Sequence, residues 1–393
     1  MGRDLPLSGE NAPAAPLKRK AVVQSAVEPE GGAGVIEAPD GTAGMRTEGA
    51  MPSHPSASLS NAHIVSASAP TLAARWRWLR RQPAANIVAL FIVVQIVCIV
   101  CGLIFPEDFR YVSATNVSLV LKAIPVLGVI ALGVGVLMIS GEFDLSVGAV
   151  YTVTAYAMAL LYLNGVPLGL AVVLTLLIGA ALGVVNGLVT VKMAIPSFIT
   201  TLGSMMVVRG FVRWISEGRS VSFHPADSFV GMVTGSILGV NAEFVWFVAF
   251  TVAVGVMLHR TKLGNHMFLV GGSEKTAIAV GVNVRLVKVT AFVFSSLGAT
   301  LAGILSTTRV SSVTASQGIG FELKAITVCV IGGLFLTGGR GTIVGIFVGA
   351  CLMYMVEDVL LLLRAPGFYI DVFIGVILVG AVIINTWLVK NNR

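Results

Sequence analysis

The sequence predicts an all-α, polytopic membrane protein with about ten transmembrane helices. Hydrophobic residues make up 56% of its 393 positions, and charged residues make up only 11%. A soluble domain could not keep so much apolar surface away from water, because its surface-to-volume ratio forces many polar residues outward. A lipid bilayer removes this difficulty, since a helix of about 20 apolar residues crosses a hydrocarbon core about 30 Å thick.

The first part of the chain differs in composition from the rest. Residues 1–74 are rich in Ala, Pro, Ser, Gly and Glu and contain almost no aromatic side chains. Such a segment cannot bury enough apolar area to offset the entropy lost on ordering. We therefore predict a disordered cytoplasmic tail over 1–74 and a transmembrane domain over 75–393, which begins with a basic, aromatic collar at 75–81.

Apolar segments of near-spanning length follow the collar. They lie near 84–105, 119–139, 145–163, 167–190, 195–216, 243–259, 289–306, 321–337, 342–363 and 370–388. Small residues within them, such as Gly133 and Gly183, are predicted to allow close approach of helix backbones, because lipid provides no hydrophobic drive between helices.

The basic residues between these segments are unevenly distributed. With the N-terminus inside, the cytoplasmic ends and connections hold thirteen Lys and Arg residues, whereas the external connections hold four. Short loops follow the positive-inside rule, so this asymmetry predicts a cytoplasmic N-terminus. An even number of spans then returns the C-terminus to the cytoplasm.

The chain lacks the sequence patterns of several other function classes. Its four cysteines fall inside apolar runs, and its five histidines lack metal-ligand spacing. The net charge of +7 is typical of basic cytoplasmic connections, and no basic stripe is interleaved with exposed aromatics. We expect no catalytic, metal-binding or cofactor-binding residues in this chain, and no nucleic-acid partner.

A polar stretch at 139–148 separates two apolar segments. It contains Glu142, Asp144 and Ser146. Charged side chains at membrane depth are energetically costly and tend to be functional. Alternatively, the stretch is a cytoplasmic turn in which Asp144 or Ser146 caps the next helix. Physical reasoning alone leaves both interpretations open.

Two further polar stretches lie at 185–187 and 195–204. Asn186 is in the first, and Pro196 in the second suits the first turn of a helix. Ser197 and Thr201 then either line a polar face or form hydrogen bonds back to their own helix.

The longest predicted cytoplasmic loop covers residues 260–288. Ser273 is a good N-cap, Glu274 lies where the helix dipole favours an anion, and Gly281 is a natural helix stop. With Ala277 and Ala279, these residues predict a short helix with an Ala-rich face that docks into a groove of a partner. The alternative is an interfacial helix with no partner.

Charged residues inside the predicted spans are few. Arg209, Arg213 and Glu217 share one helix face by their spacing, while Glu357 and Asp358 lie in the outer half of a later span. We hypothesise that Arg209 or Arg213 pairs with one of these two acids. In the alternative interpretation, the arginines extend to the external surface.

Taken in order, these stretches resemble the ribose-type permeases of bacterial ATP-binding-cassette (ABC) importers. The family's Gly-Gly-Ile-Asp-Leu-Ser-Val-Gly run is similar to 141–148, and its Asn-Gly, Pro-(Pro/Ser)-Phe-Ile-x-Thr-Leu-Gly and Arg-Gly runs are similar to 186–187, 196–203 and 209–210. Its Gly-Gly-Asn loop motif looks like 271–284. Its Glu-Leu-x-Ala-Ile run with a later Gly-Gly-Arg-Gly looks like 322–341.

The resemblance covers about 84–388 and has clear departures. Glu142 and Phe143 replace the usual Gly and Ile, and Glu274 replaces a usual polar residue. Glu357 and Asp358 stand where Asn-type residues are common, and the tail has no counterpart in the family.

The resemblance implies an ABC importer permease fold in the inner (cytoplasmic) membrane. It implies a second permease copy in a homodimer or heterodimer, two ATPase subunits on the cytoplasmic face, and a periplasmic sugar-binding protein that delivers a sugar-like solute. The chain itself has no Gly-x-x-x-x-Gly-Lys-(Ser/Thr) loop, so ATP and Mg would bind to the partner subunits and this chain would not be an enzyme.

The same reading assigns roles to two groups of residues. The helix predicted at 273–281 would be the ATPase-coupling element, with Ser273, Glu274, Ala277, Ala279 and Gly281. The candidates for a translocation path or for structural polar contacts are Asp144, Ser146, Asn186, Thr201, Arg209 and Glu322.

Two other function classes remain as alternatives. An ion-coupled secondary transporter would place carboxylates near the membrane midplane, whereas Asp144, Glu322, Glu357 and Asp358 lie toward the ends of predicted spans. An intramembrane enzyme would need a catalytic constellation inside the spans, and no such spacing recurs.

Overall fold

The computed structural model of the protein describes residues 85–391 except 226 and 238. The tail predicted over 1–74 and the collar at 75–81 lie outside these described residues, so both stay predictions.

The described part of the chain is built almost wholly from helices. In chain order they are α1 Ala85–Ile104, α2 Ala114–Ile139, α3 Val147–Leu163, α4 Leu168–Met193, α5 Ser197–Ser216, α6 Asp227–Thr234, α7 Ala242–Arg260, α8 Lys262–Gly272, α9 Glu274–Ala279, α10 Val284–Val310, α11 Phe321–Ile331, α12 Ile343–Leu362 and α13 Phe368–Asn391. Two short antiparallel pairs complete it: β1 Val221–Ser222 pairs with β4 Ser312–Val313, and β2 Ser236–Ile237 pairs with β3 Val240–Asn241.

Each predicted apolar segment coincides with one of these helices. Seven of the described helices, α1, α2, α4, α5, α7, α10 and α12, are long and apolar enough to cross a membrane. The helix α3 and the apolar part of α13, Phe368–Gly380, are shorter. The prediction of an all-α, polytopic membrane protein is therefore confirmed.

Several predicted boundaries differ from the structure. The segment predicted over 321–337 contains an 11-residue helix, α11, which ends before Gly332. A Cβ on Gly332 would come within 2.6 Å of the Gly345 carbonyl oxygen, so the chain passes too close to α12 there for a larger residue. The helix α10 begins at Val284 rather than near 289, because the Asn283 side chain caps it by accepting a hydrogen bond from Leu286 N.

The structure also contains a helix that the sequence did not predict. Residues 260–288 were expected to be a loop with one short helix, yet α8 occupies 262–272. Thr261 caps this helix by accepting from Gly264 N, and Met267 and Val270 on it are buried. The pair Gly271–Gly272, which suggested a loop, completes the last turn of α8.

The centre of the fold is formed by α2 and α10, which pack against each other and are mostly buried. The helix α4 packs on α10, and α11 and α12 pack on α2. Close backbone contact explains this arrangement: a Cβ on Gly133 would come within 2.7 Å of Phe294 O, and one on Gly183 within 2.8 Å of Phe292 O. The predicted packing role of these two glycines is confirmed.

Candidate functional site

Three connections meet at one end of the helix bundle. They are 140–146 between α2 and α3, the α8–α9 junction at 271–273, and 332–342 between α11 and α12. Gly339 N donates a hydrogen bond to Ile139 O at 2.8 Å. A Cβ on Gly338, whose φ is 79°, would come within 2.7 Å of the Gly141 Cα, and one on Gly271 would overlap the Ile139 carbonyl oxygen. The connections therefore contact each other backbone to backbone, and we call this contact the glycine junction.

A buried hydrogen-bond network holds the 140–146 connection in place. The carboxyl of Asp144 is fully buried, and its Oδ1 accepts from Ser146 N at 2.8 Å and from Ser146 Oγ at 2.5 Å. Its Oδ2 accepts from Ser295 Oγ on α10 at 2.9 Å. Asn186 Nδ2 on α4 donates to Ser146 Oγ at 2.9 Å. Asp144, Ser146 and Asn186 thus form one network.

Within this network the capping alternative is met only in part. Ser146 occupies the N-cap position of α3 but its side chain makes no capping hydrogen bond. Asp144 accepts from the backbone just before α3 begins. Burial raises the pKa of the Asp144 carboxyl, and the hydrogen bonds from Ser146 and Ser295 oppose this rise.

The start of α5 binds the same connection from another side. Thr201 Oγ1 accepts from Leu145 N at 3.0 Å and donates to Ser197 O at 2.8 Å. Ser197 Oγ accepts from Phe143 N at 3.1 Å. Thr201 is fully buried and bonds both to its own helix and to the connection.

The hypothesis on the charged residues is wrong in its choice of partner. Arg209 Nη2 on α5 lies 2.9 Å from Glu322 Oε1 on α11, so these two candidate residues form an ion pair with each other. The two acids expected to pair with an arginine have different partners.

Glu357 and Asp358 bind residues that the sequence did not indicate. Glu357 Oε1 lies 3.0 Å from Lys324 Nζ, and Asp358 Oδ2 accepts from Asn116 Nδ2 at 2.8 Å. Glu217 follows the end of α5 and pairs with the exposed Arg219, so it does not share the helix face as the spacing suggested. The reason is that α5 stops at Ser216, with Glu217 in the left-handed conformation.

The short helix predicted near 273–281 is present as α9. Ser273 Oγ accepts from Thr276 N at 3.3 Å, which confirms its role as N-cap. Glu274 lies in the first turn, and Gly281 adopts a φ of 81° just beyond the end. Ala277 is fully buried against the protein's own bundle.

The outward face of α9 is therefore not the Ala-rich face that the sequence suggested. Lys275, Ile278 and Ala279 are exposed, and Val280 beside them is exposed too. Any partner that docks on α9 meets these side chains and not Ala277.

A lysine that the sequence analysis did not single out connects α9 to the 140–146 connection. Lys288 Nζ on α10 lies 2.8 Å from Glu142 Oε1 and 3.0 Å from Glu274 Oε2. The available signal was that Glu142 and Glu274 both replace non-acidic residues of the resembled family, but these departures alone do not identify a partner. Their distance in the sequence concealed it.

These three side chains line a cavity of about 640 Å³. Thr190 on α4 and Pro196 before α5 line its other side. Among the residues that the structure describes, no group of His, Cys, Asp or Glu is arranged to hold a metal ion.

The seven long apolar helices define the class as a multi-pass membrane protein. The family model described as branched-chain amino acid transport system / permease component matches residues 116–382. The chain belongs to this family of permeases.

Individual relatives within the family are import permeases for ribose and for autoinducer 2. The chain is 31% identical to the ribose import permease protein RbsC of Haemophilus influenzae over 77% of its own length and 93% of the relative's. It is 31% identical to RbsC of Escherichia coli over 78% and 94%. It is 29% identical to the autoinducer 2 import system permease protein LsrC of Salmonella choleraesuis over 74% and 84%. No solved structure matches the chain.

Proposed function

We propose that this chain is the membrane-spanning permease subunit of an ABC importer that moves a sugar or sugar-like solute across a bacterial inner membrane. Its relatives include ribose and autoinducer 2 import permeases, which supports the solute class. The observation that carries the mechanism is α9, a short capped helix that presents exposed side chains at the glycine junction.

The energy for transport is supplied by other chains. The sequence contains no phosphate-binding loop of the Gly-x-x-x-x-Gly-Lys-(Ser/Thr) type, which supports ATP and Mg binding on separate ATPase subunits. A periplasmic sugar-binding protein delivers the solute, and a second permease copy completes the path. The excess of basic residues on one side supports cytoplasmic N- and C-termini, with α9 on the same side as the ATPases.

In this mechanism α9 passes movement of the ATPase subunits to the spans. Closure of the ATPases on ATP would shift α9, and the backbone contacts of the glycine junction would carry the shift to the 140–146 and 332–342 connections. Those connections join α2 to α3 and α11 to α12, so the spans would rotate as rigid bodies between inward-facing and outward-facing arrangements.

Uptake in cells tests this function against ion-coupled transport. In cells that make ATP by fermentation, accumulation of labelled ribose through this permease should stop when the partner ATPase is deleted. It should continue when a protonophore collapses the proton gradient. Accumulation that survives loss of the ATPase but stops with the protonophore would contradict the proposal.

A further inference from the structure

We propose that Lys288 is the positioning residue that couples α9 to the core, by bridging Glu274 on α9 to Glu142 in the 140–146 connection. This inference rests on the proposed function, because it assigns the link between the coupling helix and the spans. Lys288 belongs to neither segment: it projects from α10 between them, with both carboxylates within 3.0 Å.

The two arms of the bridge differ in their exposure to water. The side chains of Lys288 and Glu142 are 16% and 13% exposed, whereas that of Glu274 is 53% exposed. Charge attraction is stronger where water is excluded and weaker where solvent screens it. The Lys288–Glu142 arm is therefore the permanent one, and the Lys288–Glu274 arm is the one that opens and closes as α9 moves.

The bridge matters because an open space lies beside α9. A cavity of about 640 Å³ lies between α9 and the ends of α4 and α5, where Thr190 and Pro196 form its far wall. Side chains of α9 do not fill this space, so α9 has room to move. A helix of six residues is too short to hold its own conformation. Ala277 holds the inner face of α9 against the bundle, and the bridge ties Glu274 at its first turn to α10.

The inner end of the bridge reaches the buried network. Glu142 precedes Asp144 by two residues, and Asp144 bonds to α10 through Ser295. The backbone N–H groups of Phe143 and Leu145 donate hydrogen bonds to Ser197 and Thr201 on α5. A pull on Glu142 is therefore delivered to α5 and α10 together.

The bridge explains two of the departures from the resembled family, Glu142 and Glu274. Glu142 and Glu274 are both acids where the family has other residues, and both bind the same amine. A single acid would leave Lys288 joined to one segment only. Two acids make it a link.

The test uses the assembled transporter in proteoliposomes and compares solute imported with ATP hydrolysed. Lys288→Met removes the charge and retains most of the volume, and Lys288→Arg keeps the charge. Lys262→Met is the matched control, because Lys262 is exposed at the start of α8 and lies in none of the ion pairs of the described residues. Labelled ribose is the probe.

We expect Lys288→Met to lower the ratio of ribose imported to ATP hydrolysed by about fivefold or more, a typical size for coupling between distant sites. Lys288→Arg should restore most of the ratio, and Lys262→Met should leave it unchanged. A residue that only stabilised the fold would lower yield and both rates together and would not change the ratio. A wild-type ratio in Lys288→Met would overturn the inference.

Glu274→Gln keeps the inference testable if Lys288→Met fails to assemble. It alters only the more exposed arm and should lower the same ratio while the protein folds normally. If the wild-type complex imports ribose with ATP and Glu274→Gln keeps the wild-type ratio, this inference is wrong and the proposed function stands. If the wild-type complex imports no sugar or sugar-like solute with ATP, ribose and autoinducer 2 included, both are wrong.

Discussion

Asp144 is the residue on which the buried network depends. One carboxyl satisfies Ser146 N, Ser146 Oγ and Ser295 Oγ inside the bundle. Replacing a hydrogen-bond partner in a buried site leaves the remaining groups unpaired, at about 1–3 kcal/mol for each such group. Asp144 therefore has a structural role, and we expect its replacement to lower the stability of the fold, which can be measured without a transport assay.

Asp144→Ala should lower the melting temperature of the detergent-purified protein and reduce its yield, because Ser146 and Ser295 lose their shared acceptor. Thermal unfolding monitored by tryptophan fluorescence measures this. Asp108→Ala is the control. Asp108 is exposed in the α1–α2 connection, so this variant should unfold at the wild-type temperature. Equal melting temperatures for the two variants would show that the network contributes nothing.

At the scale of single residues, the sequence indicated polar side chains that lie together in the structure, but it did not indicate the partners of the charged ones. Asp144, Ser146, Asn186 and Thr201 were all selected, and the structure brings them together. Arg209 was paired with the wrong acid, because Glu322 lies on a helix more than a hundred positions away and spacing along one helix gives no information on such contacts. The contact of Lys288 with Glu142 was missed because these two residues are also far apart in the sequence.

The helices α8 and α9 and the connections around them meet at the glycine junction. Gly338 lies in the left-handed region with a φ of 79°, and a Cβ there would come within 2.7 Å of the Gly141 Cα. A non-glycine residue in this conformation costs about 1–2 kcal/mol even without a clash. The junction therefore tolerates no side chain.

Gly338→Ala should lower the melting temperature and should also reduce transport by the protein that still folds, because the 332–342 connection is pushed away from 140–146. Gly367→Ala is the control: no atom lies within 4 Å of a Cβ at that position, in the α12–α13 connection. If Gly338→Ala matches Gly367→Ala in stability and in uptake, the junction is not a tight contact.

The helices themselves were largely predictable, since each apolar segment is one helix. The exceptions arise at Gly-Gly pairs, which occur both within the last turn of a helix and just after a helix has ended. Gly271 and Gly272 suggested a loop but end α8, whereas Gly332 and Gly333 were included in a span and instead stop α11. Tertiary packing decides between these outcomes, and periodicity contains no signal for it.

We expect the ATPase subunits of the proposed importer to dock on the exposed side of α9. Ile278 and Val280 are 61% and 64% exposed although they are apolar, at the end of the bundle that carries the glycine junction. An apolar helix face of this kind binds in a hydrophobic groove of a partner. The rest of the exposed apolar surface lies on helices such as α1 and α5, as expected for contact with lipid.

Ile278→Glu should weaken co-purification of the ATPase subunit with the permease while leaving the melting temperature of the permease alone unchanged. A charged side chain would have to enter the apolar groove of the partner. Val112→Glu, in the α1–α2 connection at the far end of α2, is the control and should co-purify normally. Full co-purification of Ile278→Glu would show that the ATPase does not dock on this face.

The most direct test of the whole account is solute accumulation by the purified protein in liposomes. Reconstituted alone, the chain should accumulate no labelled ribose against a gradient, whether ATP or an imposed ion gradient is supplied. With the ATPase subunits, the binding protein and ATP, accumulation should appear. Uphill uptake by the chain alone would contradict the claim that its energy comes from separate subunits.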